Sequence, residues 1–238
     1  MSPSASVALS VVIPVYGSAV IFPSLHRRLV DVLDTLTDAW EIIAVVDGSG
    51  DDSAAVIAAI HRRDPRVKLI EFSRNFGNQM AITAGLRHAA GERVVVMDDD
   101  LEDPPELIPA LVSRADEGYD VVYAVRRSRN ISARRALAIR VYNRVFRALS
   151  DFQMTANVGD FCLMSRPVVD ARNAMPEGHR FVRALRAWAG FSQAGVEYDR
   201  EPRHAGRSGF TFGGYLGLGL DGLLSFSAAP LRAATGLG

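Results

Sequence analysis

The feature that most constrains the fold is an alternation running from Leu9 to Val125. Short apolar runs rich in β-branched residues end in turn residues, and each is followed by a segment whose apolar residues recur at helical spacing. Leu9 to Val15 is such a run, closed by Pro14-Val15-Tyr16-Gly17, and Phe22, Leu25, Leu29, Val32, Leu33 and Leu36 then mark a helix over Phe22 to Leu36. The pattern predicts strands over Glu41 to Val46, Val67 to Phe72, Arg93 to Met97 and Val121 to Val125. Between them it predicts helices over Ser53 to Arg63, Gln79 to Ala90 and Pro104 to Glu117, the first with a polar cap. Strands that are apolar throughout must be covered on both faces, which describes an α/β chain with a parallel sheet. Ligands of such sheets sit at the carboxyl ends of the strands, so the chemistry is expected after Val15, Val46, Phe72 and Met97.

Beyond Val125 the alternation blurs into a helix over Ala133 to Leu149, a strand over Phe161 to Ser165, a helix over Phe181 to Ala189 and a strand over Gly195 to Tyr198. No repeat or linker divides the chain, and 238 residues with 48% apolar content suffice for one domain with a real core. Its 27 basic and 27 acidic residues cancel, which gives no support to a nucleic-acid partner. One cysteine, Cys162, excludes an internal disulfide, and no His or Cys pair has zinc-ligand spacing. The amino terminus lacks the basic region of a signal peptide, and no apolar window is long enough to cross a bilayer. The expected location is the cytoplasm.

The densest chemical signal is Met97-Asp98-Asp99-Asp100-Leu101-Glu102-Asp103-Pro104-Pro105-Glu106, with six carboxylates directly behind an apolar strand. Asp103, Pro104 and Glu106 fit a helix start, with Asp at the N-cap and Pro at the first helical position. Asp98, Asp99, Asp100 and Glu102 remain, and like charges at this density call for a cation. Hard oxygen ligands without His or Cys point to Mg²⁺ or Mn²⁺, completed by phosphate oxygens. Asp47, ending the second strand, is placed to accept hydrogen bonds from a ribose or base. A dinucleotide fold would need Gly-x-Gly-x-x-Gly after the first strand; the match at Gly217 to Gly222 lies far from any βαβ unit, which disfavours NAD. Eight arginines between Arg126 and Arg147, with no acid among them, make a local positive field suited to phosphates or an anionic membrane. Asp160 stands before a short strand as a loop acid or a functional one, and Arg203 to Gly209 is a Gly-punctuated loop with two guanidinium groups.

Together these motifs resemble a family 2 glycosyltransferase of the polyprenyl-phosphate branch, which includes dolichyl-phosphate mannose synthases and bacterial undecaprenyl-phosphate sugar transferases. The resemblance runs from about Leu9 to Arg232 and rests on Val12-Ile-Pro-Val-Tyr16, Val46-Asp-Gly-Ser-Gly-Asp51, Ser73-Arg-Asn-Phe-Gly77, Met97 to Pro105, Asp116 to Asp120, Gly159-Asp160 and Arg203 to Ser208, in that order. It implies a GT-A fold, a Rossmann-like, mostly parallel sheet with helices on both faces, over residues 1–209. The apolar tail 210–238 would be a possible membrane-surface segment. It also implies that Asp98 and Asp100 engage the donor and its metal, with Glu102 as a further metal ligand and Asp47 on the nucleoside. Pro14, Tyr16, Asn75 and Asp99 lie in the same motifs and join the substrate-binding set. Arg126, Arg134, Arg135, Arg203 and Ser208 fall in stretches that hold donor and acceptor phosphates. Asp100, Asp160 and Arg203 are the catalytic candidates.

The chain departs from the family pattern at Gly17-Ser18 in place of Asn-Glu, at Val46 in place of the first acid of Asp-Asp-Gly-Ser, and at Gly209 in place of Lys. Many bacterial members also continue into two membrane helices after a Pro-Leu-Arg like Pro230-Leu231-Arg232; this sequence ends at Gly238. The expected reaction is an inverting transfer from a nucleotide diphosphate sugar to a polyprenyl phosphate, with a membrane surface and an oligomer as further partners. The alternatives are transfer to the hydroxyl of a small molecule, with Asp160 as base, and a nucleotide-sugar-binding module without turnover.

Overall fold

The computed structural model describes residues 7–127, 158–175 and 190–199. The expected helices over 133–149 and 181–189 and the tail 210–238 lie outside the described residues. The strands are β1 (Leu9–Val15), β2 (Trp40–Val46), β3 (Val67–Glu71), β4 (Arg93–Val96), β5 (Val121–Arg126), β6 (Val158–Ser165) and β7 (Gln193–Tyr198). They form one sheet in the order β3-β2-β1-β4-β6-β5-β7. Every pairing is parallel except those of β6, which runs antiparallel to both β4 and β5.

The helices α1 (Phe22–Leu36), α2 (Ser53–His61), α3 (Asn78–His88), α4 (Ile108–Asp116) and α5 (Arg166–Ala174) cover both faces. Successive residues of a strand point to opposite faces, so β1 feeds two cores at once. Val11, Ile13 and Val15 pack with Leu25, Leu29, Ile57, Ile108 and Leu111 of α1, α2 and α4. Val12 packs with Ala81, Ile82, Leu86, Val168 and Val169 of α3 and α5. This two-sided burial is why β1 and β2 are buried along their whole length. At Gly85 a Cβ would lie 2.3 Å from Val12 Cγ1, so the absence of a side chain there lets α3 sit directly on the central strand.

Three features differ from the sequence expectations. The β6 strand begins at Val158, so Asp160 is a strand residue rather than one preceding it. Helix α5 was not foreseen, because its only buried apolar side chains are Val168 and Val169. Asp103 caps no helix: the chain makes a 3-10 turn over Pro105–Leu107, which continues into α4. Among the described residues, no helix is long and apolar enough to cross a membrane.

Candidate active site

In the register of β4 with β6, Val96 pairs with Cys162. Two residues further along each antiparallel strand, Asp98 and Asp160 therefore meet at the edge of the sheet where the parallel strands end. Burial pushes the Asp98 carboxyl up to about 7, and the charges of Asp160, Asp103, Asp100 and Asp99 add to the rise. Burial likewise pushes Asp99 up to about 6, against the opposing pull of the Ser18 hydroxyl and the Tyr16 N–H, which donates to Asp99 Oδ2 at 3.1 Å. Backbone conformation and a local hydrogen bond both shape the acid loop. Leu101 takes a left-handed φ of 59° with its side chain in the core, and Asp100 Oδ1 accepts the Glu102 N–H at 3.1 Å. Glu102 is buried beneath it.

Asp103 belongs to this site rather than to a helix start. It is 1% exposed, Arg126 Nη2 donates to its Oδ2 at 3.3 Å, and the Tyr198 hydroxyl donates to its Oδ1. Arg126 Nε also donates to the Tyr198 oxygen at 3.1 Å. A Cβ at Gly159 would lie 3.0 Å from Arg126 Nη2, so the glycine before Asp160 leaves room for the guanidinium. Arg126, expected on a phosphate, thus neutralises a buried acid one step behind the loop. Asp160 is 6% exposed, and Gln79 Nε2 of the first turn of α3 donates to its Oδ2 at 3.2 Å.

The loops after β1, β2 and β3 complete the edge. Gly17, Ser18 and Ala19 N–H groups donate to Ser49 Oγ, Ser53 Oγ and Asp51 Oδ2 at 2.9, 3.1 and 3.0 Å. Burial would raise the Asp51 carboxyl, but the Ser49 and Ser53 hydroxyls and the Ala19 and Ser53 N–H groups outweigh it and bring it to about 2. Tyr16 projects above this clip, 61% exposed. Asp47, 3% exposed, accepts the N–H groups of Phe76 and Gly77 at 2.7 and 2.8 Å, so both of its oxygens hold the loop before α3. Gly48 has a φ of +58°, and a Cβ there would lie 2.1 Å from Arg74 C, so the loops after β2 and β3 touch backbone to backbone. An open cleft of about 370 Å³ lies here, lined by Gly48, Ser49, Glu71, Phe72 and Ser73. Asn75 is exposed on the same loop, whereas Pro14 is buried inside β1 beside Val45.

The structure therefore gathers Tyr16, Asp98, Asp99, Asp100, Glu102, Arg126 and Asp160 around one edge. Arg134, Arg135, Arg203 and Ser208 lie outside the described residues. Gln79, Asp103 and Tyr198 were not foreseen as members. Tyr198 carried only the signal of closing a strand, and Gln79 that of a polar residue at a helix start facing the site edge.

Among the described residues, no three His, Cys, Asp or Glu side chains are gathered closely enough to cage an ion by themselves. What the loop offers is hard oxygen donors whose ionisation is opposed by burial and by each other. That arrangement gains energy from a cation shared with an anionic ligand.

The glycosyl transferase family 2 model matches residues 10–172. The uncharacterized glycosyltransferase YkcC of Bacillus subtilis (strain 168) is 41% identical over 98% of this chain and 72% of its own length. The bactoprenol glucosyl transferase of Shigella phage SfV is 36% identical over 97% of this chain and 75% of its own. Among solved structures, the glucosyl-3-phosphoglycerate synthase from Mycobacterium tuberculosis in complex with UDP superposes with a TM-score of 0.59 at 20% identity, covering 92% of this chain and 79% of that one. The mannosyltransferase PcManGT from Pyrobaculum calidifontis, in complex with GDP-Man and Mn²⁺, gives a TM-score of 0.59 at 18% identity over 84% of this chain and 58% of that one.

Proposed function

Because the chain belongs to glycosyl transferase family 2 and has the GT-A fold, we propose that it transfers a sugar, with inversion, from a nucleotide diphosphate sugar to a polyprenyl phosphate. The observation that carries this reading is the acid loop Asp98–Asp103 facing Asp160 at the carboxyl edge of the sheet, with Asp98 raised to about 7. A cluster so short of positive charge suits a divalent cation bound together with a diphosphate. Asp98 and Asp100, with Glu102, would hold Mg²⁺ or Mn²⁺, which supplies charge neutralisation to the departing nucleoside diphosphate. The likeness to bactoprenol glucosyl transferases supports the acceptor class.

The strand order supports one layout for the donor. The cleft between β2 and β3 takes the nucleoside, and Tyr16 after β1 flanks the diphosphate. The acids after β4 face its charged end, and Asp160 on β6 stands at the sugar. At about 4.8 Å per strand, the cleft and the acid loop are roughly 12 Å apart, a span a nucleoside diphosphate can bridge. In the reaction an acceptor phosphate oxygen forms the new bond to the anomeric carbon. The bond from that carbon to the donor phosphate breaks, and the electron pair leaves with the nucleoside diphosphate. The acceptor is already an oxyanion, so no proton has to be removed. Asp160, held by Gln79, then orients the sugar. If the acceptor is a hydroxyl, the same placement makes Asp160 the base, and its position across from Asp98 is what favours that second reading.

The test is transfer followed by mass spectrometry, with undecaprenyl phosphate and a panel of nucleotide sugars, in Mn²⁺ and in EDTA. Asp100→Ala is expected to lower turnover a hundredfold or more, about 3 kcal/mol of transition-state stabilisation. Full activity in EDTA or in this variant removes the metal from the proposal.

A further inference from the structure

Among the described residues, Glu71 is the only ionisable one lining the cleft at the ends of β2 and β3. It is exposed and closes β3, and its partner in the parallel register is Val46, the last residue of β2. Val46 offers no carboxylate at the end of β2. The cleft's lining does not include the neighbouring acid, Asp47, whose two oxygens accept backbone N–H groups from the loop before α3. A carboxylate contact to a ligand in this cleft therefore comes from the adjacent strand.

We infer that Glu71 is a specificity-determining residue for the donor, its carboxylate accepting a hydrogen bond from a ring N–H of the nucleobase bound between the loops after β2 and β3. An ionised carboxylate only accepts. Uracil and guanine present a ring N–H at their pairing edge, whereas cytosine and adenine present a ring nitrogen lone pair there, which a carboxylate repels. The inference selects UDP- or GDP-linked donors, and it rests on the nucleotide-sugar reading above. The ring of Phe72 and the hydroxyls of Ser49 and Ser73 give the rest of the cleft an apolar surface and further polar contacts. Glu71, three strands from the acid loop, stands roughly 14 Å from it by strand spacing, beyond a Debye length of about 10 Å at moderate salt, so its charge scarcely opposes the diphosphate.

The sign of the effect separates this role from simple electrostatics. Removing a negative charge favours any anionic ligand, so affinity lost on removing Glu71 reflects a lost hydrogen bond. Calorimetric titration in Mn²⁺ with UDP, GDP, CDP, ADP and inorganic pyrophosphate, on the wild type and Glu71→Ala, makes the comparison. An exposed strand-end residue tolerates alanine, which an unchanged melting temperature verifies. The expected result is a wild type that binds UDP or GDP at least tenfold more tightly than CDP and ADP. Glu71→Ala should lose at least tenfold toward the preferred nucleotide and bind pyrophosphate as tightly as before or slightly more so. Two results overturn the inference while leaving the nucleotide-sugar reading intact: wild-type affinity for that nucleotide in Glu71→Ala, or an equal loss toward pyrophosphate. A wild type that binds none of the nucleotides overturns both.

Discussion

At the scale of single residues, the site is defined by acids held where acids are unwelcome. Folding raises Asp98 to about 7 and Asp99 to about 6, so between roughly pH 4 and pH 7 the folded chain binds more protons than the unfolded one. In EDTA these two groups should therefore make stability fall as pH rises through that window, and Mn²⁺ should flatten the decline. Asp51, lowered to about 2, acts with the opposite sign but only below about pH 4. Urea midpoints across pH 4 to 8 measure the trend, and a rise through the window in EDTA contradicts the assignment. Arg126→Ala leaves Asp103 buried beside Tyr198 without its cation. Loss of one partner of a fully buried pair costs several kcal/mol, and with 32% of the Arg126 side chain in water we expect on the order of 2 kcal/mol, read as a lower urea midpoint. The sequence predicts Asp98, Asp99 and Asp100 together behind a buried strand, and in the structure they come to the end of β4 beside Asp160, where three acids have few structural uses. It misassigned Asp103 because Asp-Pro-Pro-Glu satisfies every local rule for a helix start, while Arg126 and Tyr198, which claim that carboxylate, arrive from β5 and β7.

At the scale of elements, the loops after β1, β2 and β3 act as one clamp. Asp47 holds the Phe76–Gly77 turn, and Gly48 lets that turn approach within backbone contact. Asp47→Ala and Gly48→Ala should both raise the dissociation constant of the donor about tenfold or more while changing turnover at saturation much less, because they disturb the nucleoside wall and leave the acid loop in place. Steady-state kinetics separate the two quantities, and a pure loss of kcat would contradict the clamp. Most elements were legible: α1 and β1 have the predicted bounds, and the other strands of the first half agree within a residue or two. The direction of β6 was not. An apolar run looks the same read up or down a sheet, so its pattern gives no sign that it enters between β4 and β5 antiparallel to both. Helix α5 was hidden for a related reason, since Arg172 is buried and donates to Thr83 Oγ1 at 3.1 Å, a contact no periodicity announces.

At the scale of the molecule, the donor site proposed for this glycosyltransferase runs along one edge of a seven-stranded sheet. On the polyprenyl-phosphate reading proposed above, the acceptor sits in a bilayer and the enzyme would meet a membrane surface. The arginines between Arg126 and Arg147 and the weakly charged segment 210–238 are the parts of the sequence suited to that meeting. The chain should co-sediment with anionic vesicles, come off at high salt, and bind less when two or three of those arginines become Gln. No binding at low salt would favour the hydroxyl acceptor. The reversed strand β6 has a consequence at this scale. Because it runs against β5, the end of β5 and the start of β6 lie side by side, and Val125 and Val158 are paired neighbours. Both strand ends lie on the edge where Asp98 and Asp160 meet, about one strand spacing apart, and each doubling of the length of sequence joining two such ends costs only about 0.6 kcal/mol of closure entropy. In evolutionary terms the fold has a socket there. A joint of that kind costs little to lengthen, so the sheet itself sets no tight limit on how much sequence related enzymes carry between these two strand ends.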